Sequence, residues 1–439
     1  METASPFAWL LLTGSLAFLI PASLTLIAVG ASPERRALHV ALSGLAALAM
    51  GVILYALVGF GLQFGGLGLV SQLEGVEGLI REWSPLDVAR GPGWGMVGLD
   101  GFLILGRDYD PGVYALFLFQ AALAATAAVI PALALAGRVR RPLLLLAILL
   151  VSAVIYPLFG NWAWGGGWLA MLGQTEGLGH GFVDFAGAGV VHALGGMVAL
   201  AGLLACGLRM GKEELTEPAT LPPVHFPLLA VLSSFLLLIG WFALAAGQPL
   251  TTSDVPLPLL LVNLLVAGSA GALLAALYTW FTTGAPEVQM AVRGLVAGLV
   301  AASAPLPFVP PWAAAVMGAV AGLLVPLSTF VIERLLRLDD ATGAVSVHAV
   351  SGLWGLLALG FFADGRHGAG WHDVEPTEYL GVAGQGVAGW LSVPGFNPDW
   401  PGQLYAQFVG MATLILLALI LPWLLFKGLN RLFPAPRGE

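Results

Sequence analysis

Two histidines carry the sharpest chemical signal in this 439-residue chain. His192 lies in Asp184-Phe-Ala-Gly187-Ala188-Gly-Val-Val191-His192-Ala193-Leu-Gly-Gly196. His348 lies in Asp340-Ala-Thr-Gly343-Ala344-Val-Ser-Val347-His348-Ala349-Val-Ser-Gly352. The segments match at seven of thirteen positions, including the acid, the histidine eight residues later and two glycines. A neutral imidazole offers one donor and one acceptor, so in apolar surroundings it needs a partner. A single histidine of this kind is often a packing residue, but two at matching places in a repeat point to a shared station. Two imidazoles without carboxylate or cysteine support make a poor metal site. A ring-to-ring hydrogen bond in a narrow pore fits better.

The elements that position these residues are read from composition. Hydrophobic side chains make up 58% of the chain and charged ones 10%, and the mean hydropathy is +0.91. A soluble domain carries about 25% charge, so more than half the usual ionic surface is missing. Seventeen basic against 25 acidic residues argue against a nucleic-acid partner, and the single cysteine, Cys206, excludes a disulfide framework. What remains is an all-α polytopic membrane protein.

A membrane helix needs about 20 mostly apolar residues. Eleven such stretches occur, near 7–31, 38–62, 111–136, 142–161, 184–207, 224–247, 257–282, 288–305, 311–333, 344–363 and 403–428. The first lacks a basic leader and a clear cleavage site, and so reads as a retained helix. Basic residues orient the chain, because Lys and Arg concentrate on the cytoplasmic side. One set of loops holds Arg35, Arg36, Arg138, Arg140, Arg141, Arg209, Lys212, Arg334, Arg337, Lys427, Arg431 and Arg437; the other holds only Arg81, Arg90, Arg107 and Arg366. This predicts an external N-terminus and an internal C-terminus, with the long loops 63–110 and 364–402 outside. The tail after the last span is about ten residues and leaves no room for a soluble domain, so 1–439 reads as one membrane domain.

The fifth span then enters from outside and the tenth from inside, making the repeat inverted. The expected architecture is five plus five helices, over about 7–209 and 224–364, followed by an eleventh. Transporters recurrently place their sites at the midplane of such repeats. An Asp at each helix start caps free N–H groups. Eight residues at 1.5 Å each carry the His about 12 Å inward, close to the middle of a ~30 Å core.

At these residues the sequence resembles the ammonium transporter family, which includes the Amt, Mep and Rh proteins. Asn161-Trp-Ala-Trp164-Gly-Gly-Gly-Trp168 with Asp184 to His192 is similar to the family signature before and within the fifth helix. Leu338-Asp-Asp340 with His348 is similar to its counterpart at the tenth. Phe119-Gln120 and Gly240-Trp241-Phe242 extend the match, which covers nearly the whole chain. The resemblance implies a homotrimer with one pore per subunit, no cofactor, and no enzymatic reaction. Ammonium would be recruited outside and deprotonated, and ammonia would pass His192 and His348. Trp164 and Phe119 match the recruitment site, and Asp184 an acid whose implied role is structural, with Asp340 as its repeat equivalent. A prokaryotic inner membrane is the expected location.

The chain departs from the family in several places. The positions of two stacked gate phenylalanines read Leu123 and Leu244, and an expected hydroxyl reads Gln248. Arg293 places a charge in the eighth span, where it could pair at an interface or repel cations in the pore. Gly343 is closer to the Rh branch, while Trp164 leans the other way. The short tail lacks most of the cytoplasmic segment that carries regulation in many relatives. Two alternatives stay open: an Rh-like channel for neutral ammonia, carbon dioxide or another small amine, and a non-conducting sensor or assembly subunit. His180, His367 and His372 read as solvated loop residues, His225 as interfacial, and Glu213, Glu214 and Glu217 as a solvated charge run.

Overall fold

The computed structural model describes residues 7–71, 73–86, 94–104, 109–207, 226–248, 256–368, 370–371, 374 and 377–432. Arg90, Arg107, Arg209, Lys212, Glu213, Glu214, Glu217, His225, His372 and Arg437 lie outside these residues, and so do the predictions made for them.

All eleven expected spans are helical. Ten are long and apolar enough to cross a bilayer: α1 Ala8–Ala31, α2 Glu34–Leu69, α3 Pro111–Leu135, α4 Arg141–Trp164, α5 Ala188–Cys206, α6 Pro227–Gly247, α7 Leu257–Thr283, α9 Pro311–Leu335, α10 Ala344–Phe362 and α11 Gly402–Leu432. The eleventh, α8 (Val288–Ser303), is shorter. Proline at the first turn of α3, α4, α6, α7 and α9 occupies positions whose N–H would lack a helical partner anyway.

Packing runs in parallel through the two halves. Helix α2 packs on α3 and α3 on α5; α7 packs on α8 and α8 on α10; α11 lies against both α5 and α10. Water does not squeeze helices together in lipid, so close approach comes from small residues. A side chain at Gly294 would strike the Gly271 carbonyl, and one at Gly271 would strike that of Gly294. This seam fastens one face of α8 to α7. The outward faces stay apolar, as on α6, where Leu228, Leu232, Phe235 and Ile239 are exposed at helical spacing.

Helix α5 starts later than the expected 184, whereas α10 starts at the expected 344. Helices α5 and α10 begin at Ala188 and Ala344, four residues beyond their acids, and both open as π-helix over Ala188–Ala193 and Ala344–Ala349. The reason is the preceding glycine: Gly187 has φ 87° and Gly343 has φ 72°. These left-handed conformations interrupt the helix and are open mainly to glycine. Between α4 and α5 the chain is irregular, and such backbone is tolerated at membrane depth only when protein satisfies it. Gln407 of α11 does so, accepting from Val183 N at 2.9 Å and donating to Val183 O at 2.9 Å. Two small antiparallel ribbons, Glu82–Trp83 with Val97–Gly98 and Glu378–Tyr379 with Val382–Ala383, decorate the long loops.

Candidate functional site

The glycines at matching places in the two motifs make reciprocal contacts. A side chain on Gly196 would meet Ala344 O and Ala349 N; one on Gly352 would meet Ala188 O and Ala193 N. Each contact has its counterpart with the motifs exchanged, which is the mark of a two-fold relation. The late part of each motif faces the early part of the other, so α5 and α10 run in opposite directions where they cross. The histidines meet at that crossing, with His192 Nδ1 3.1 Å from His348 Nδ1 and the rings 5.2 Å apart at 14°. The expected imidazole pair is present.

A neutral imidazole carries one N–H, so this contact fixes both tautomers. The ring that donates from Nδ1 keeps a bare acceptor at Nε2, and the ring that accepts carries its proton at Nε2. The pair therefore offers one acceptor and one donor at its outer edges. Protonation of both rings would set two donors against each other. His192 is fully buried, and its Nε2 has no protein partner.

Each motif is anchored by its acid. Asp184 accepts from the N–H groups of Gly187, Gly189 and Val190 at 3.1, 2.9 and 2.8 Å. Asp340 accepts from Val345 and Ser346 at 3.0 and 2.8 Å. Both carboxylates are consumed as helix caps, which gives them a positioning function.

The Asp184 end collects the residues expected at a recruitment site. Trp164 is buried and donates its indole N–H to Asp184 O at 2.7 Å. Gln248 donates from Nε2 to Phe185 O at 2.7 Å. Its Oε1 has no partner and is buried, so the residue is not a water-facing helix terminus. The Phe119 ring packs against Gly247, beside Gln248. Leu123 and Leu244 are both buried.

The Asp340 end holds a cavity between α1, α3, α8 and α10, with ≈ 440 Å³ of empty space that includes open solvent. His348 forms part of its wall, as does Arg293. Arg293 thus points into this cavity rather than into the lipid. It is buried and donates to Ala341 O.

Some residues were not legible as functional. Trp241 stacks on His192 with centroids 4.7 Å apart at 8°, and its N–H is held by Ser303 Oγ at 3.0 Å. It stands three residues before Leu244, one helical turn along the same face, and that spacing was the available signal. The expectation of a solvated His180 is overturned. It is fully buried, its N–H donates to Gln403 at 2.9 Å, and its ring lies 4.2 Å from Tyr379. The loop bearing Tyr379 and Asp399 covers it. Burial raises the Asp399 carboxyl above its ordinary value, while hydrogen bonds from Tyr379 and Gln403 pull it back. His367 is also less free than expected, since its Nδ1 lies 2.7 Å from Asp364. No group of three metal-binding side chains occurs among the described residues.

Fold and site together define a polytopic membrane protein with a paired-imidazole station where two opposed helices cross. The chain belongs to the ammonium transporter family, whose model matches residues 8–434. It is 36% identical to the ammonium transporter Amt2 of Archaeoglobus fulgidus over 369 residues, covering 84% of this chain and 73% of that one. It is 31% identical to a putative ammonium transporter of Synechocystis sp., covering 81% and 75%. Among solved structures, a sensor Amt protein matches with a TM-score of 0.77 at 26% identity, over 98% of this chain and 94% of that one. Candida albicans Mep2 has the same fold, with a TM-score of 0.75 at 22% identity over 99% and 86%.

Proposed function

We propose that this chain transports ammonium across a membrane, passing it as ammonia along His192 and His348. The observation that carries this reading is the 3.1 Å contact between the two rings inside apolar helices. A bare cation is very costly at the bilayer centre, whereas a small neutral amine needs only a few polar stations. Ammonia donates and accepts hydrogen bonds, and the pair offers one acceptor and one donor. Recruitment belongs to the Asp184 end, which on the charge bias faces outside. There Gln248 offers a buried carbonyl oxygen to a cation, because its N–H is committed to Phe185 O. Trp164 and Phe119 supply the aromatic surroundings, where a cation–π contact is worth ~2 kcal/mol when desolvated.

Leu123 and Leu244 close the entrance by apolar contact, so the cation sheds its water and its proton before entering. The protein acts as a homotrimer in a prokaryotic inner membrane, with one pore per subunit. The free carbonyl of Gln248 favours cation recruitment over an Rh-like route for neutral ammonia.

Solid-supported-membrane recordings on proteoliposomes test the reading, with ammonium, methylammonium and potassium as challenges and His192→Ala as control. Ammonium-specific current lost in the variant is the expected result. A rise in internal pH without current, followed by stopped flow, would move the assignment to a neutral ammonia channel. Neither signal from folded protein would move it to a non-conducting relative.

A further inference from the structure

The cavity at the Asp340 end is walled mainly by apolar side chains of α1, α3, α8 and α10, with few polar groups. Those are His348, Thr342 and Arg293. Arg293 is 6% exposed. One arm of its guanidinium is satisfied by Ala341 O, while Nη1 has no partner. Thr342 Oγ1 also lacks one. The side chain lines the cavity, while the neighbouring Gly294 packs on Gly271 of α7. An unsatisfied, permanently charged donor on a lumen wall has consequences for whatever passes, because a guanidinium cannot shed its proton.

The charges around it do not remove this effect. Glu287, Glu333 and Asp340 lie within its electrostatic reach, yet none of them lines the cavity. Asp340 is turned into the cap of α10. Asp339 is taken by Arg138, in the turn after α3, with Nη2 to Oδ2 at 3.1 Å. The guanidinium thus lines the cavity and these carboxylates do not.

We infer that Arg293 makes the Asp340 mouth of the pore a cation filter, closed to ammonium and alkali ions and open to neutral ammonia. The inference rests on the transport reading above and places its specificity at the cytoplasmic side. A cation approaching His348 through this cavity passes a like charge in its wall. Neutral ammonia carries no charge for the guanidinium to repel. The pore would recruit cations at one mouth only.

The decisive experiment separates the charge of Arg293 from its hydrogen bond. Inverted membrane vesicles carrying the full chain expose the cytoplasmic face, and labelled methylammonium flux is followed while potassium chloride replaces choline chloride outside them. Wild-type flux should be insensitive to potassium. Arg293→Gln keeps a donor for Ala341 O but loses the charge, and its flux should become potassium-inhibited, with the half-inhibiting concentration lowered about tenfold or more. Arg293→Lys keeps the charge and should behave as wild type. Thr342→Asp leaves Arg293 in place but neutralises it from the same wall, and should copy Arg293→Gln even if that variant fails to fold. Equal potassium response in wild type, Arg293→Gln and Thr342→Asp overturns the inference. So does a Lys variant that behaves like Gln. Right-side-out vesicles provide the separate check: absence of any protein-dependent flux there overturns the transport reading itself.

Discussion

The two mouths of this pore are built on one pattern and finished differently. In each motif the backbone carbonyl following the acid accepts a hydrogen bond from a side chain of another helix. At one end Gln248 donates to Phe185 O, and at the other Arg293 donates to Ala341 O. The amide leaves a free carbonyl oxygen beside Trp164 and Phe119. The guanidinium leaves Nη1 without a partner, in a residue that lines the same cavity as His348. A two-fold scaffold supplies equal geometry from both sides, so any direction or selectivity must come from such unequal residues. Even the supports differ: amides of α11 hold the chain before α5, whereas the Arg138–Asp339 pair helps hold the chain before α10.

The largest effect is expected at the point common to both mouths. His192→Ala or His348→Ala should reduce ammonium-dependent flux to that of protein-free vesicles, since each leaves the other ring without its buried partner, a loss of ~1–3 kcal/mol before any effect on passage. If one variant retained most of its flux, the two rings would not act as a unit. Next comes a variant that makes the mouths alike. Gln248→Arg puts a fixed charge at the recruiting end; at ~5 Å and an effective dielectric constant of ~20 the repulsion is about 3 kcal/mol, or on the order of 100-fold in apparent ammonium affinity. Recordings with a concentration series would show it, and an unchanged midpoint would mean that cations are not recruited beside Gln248.

Stability should also distinguish the ends. Gly187→Ala and Gly343→Ala both pay for a left-handed backbone, ~1–2 kcal/mol each. A Cβ at Gly187 would also stand 2.6 Å from Val191 and 3.4 Å from the Trp164 ring, whereas at Gly343 the nearest atoms are at 3.1 Å in Val347 and 3.2 Å in flexible Arg293. Thermal unfolding in detergent should therefore place Gly187→Ala below Gly343→Ala. The reverse order would show that Arg293 is held more rigidly than Trp164.

Much of this was legible in the sequence because membranes impose a simple rule: apolar length makes a span. The repeated motifs then brought His192 and His348 together before any coordinates. What escaped detection depends on three-dimensional direction. Nothing in Ala291-Val-Arg293-Gly294 says which way the arginine points; its place in the cavity lining, with Gly294 packed on Gly271 of α7, is a three-dimensional fact. Trp241 belongs to the Gly240-Trp241-Phe242 match, but nothing in that run says that its ring lies flat on His192. His180 looked solvated because its neighbours in sequence are loop residues, while the segment covering it arrives some two hundred residues later. The π-openings of α5 and α10 were hidden for a different reason, since a glycine signals freedom without saying that the chain uses it.

The smallest expected effect lies outside the bundle, at the end held by amides. Asp399 sits over the Asp184 end, accepting from the Tyr379 hydroxyl at 2.8 Å, and burial raises its carboxyl above the ordinary value. A carboxyl with a raised folded-state value contributes stability that is fully present below its unfolded value and is lost as pH rises through the folded one. Wild-type protein should thus lose a little thermal stability as pH climbs from about 4. Asp399→Asn keeps an oxygen for Tyr379 but has no proton to lose, so its advantage over wild type should grow across that window and then level off. Unfolding curves of both proteins at a series of pH values decide the matter. A constant offset would mean that the Asp399 charge is solvated after all, and that the amide-held end is less closed than the packing of His180 and Tyr379 indicates.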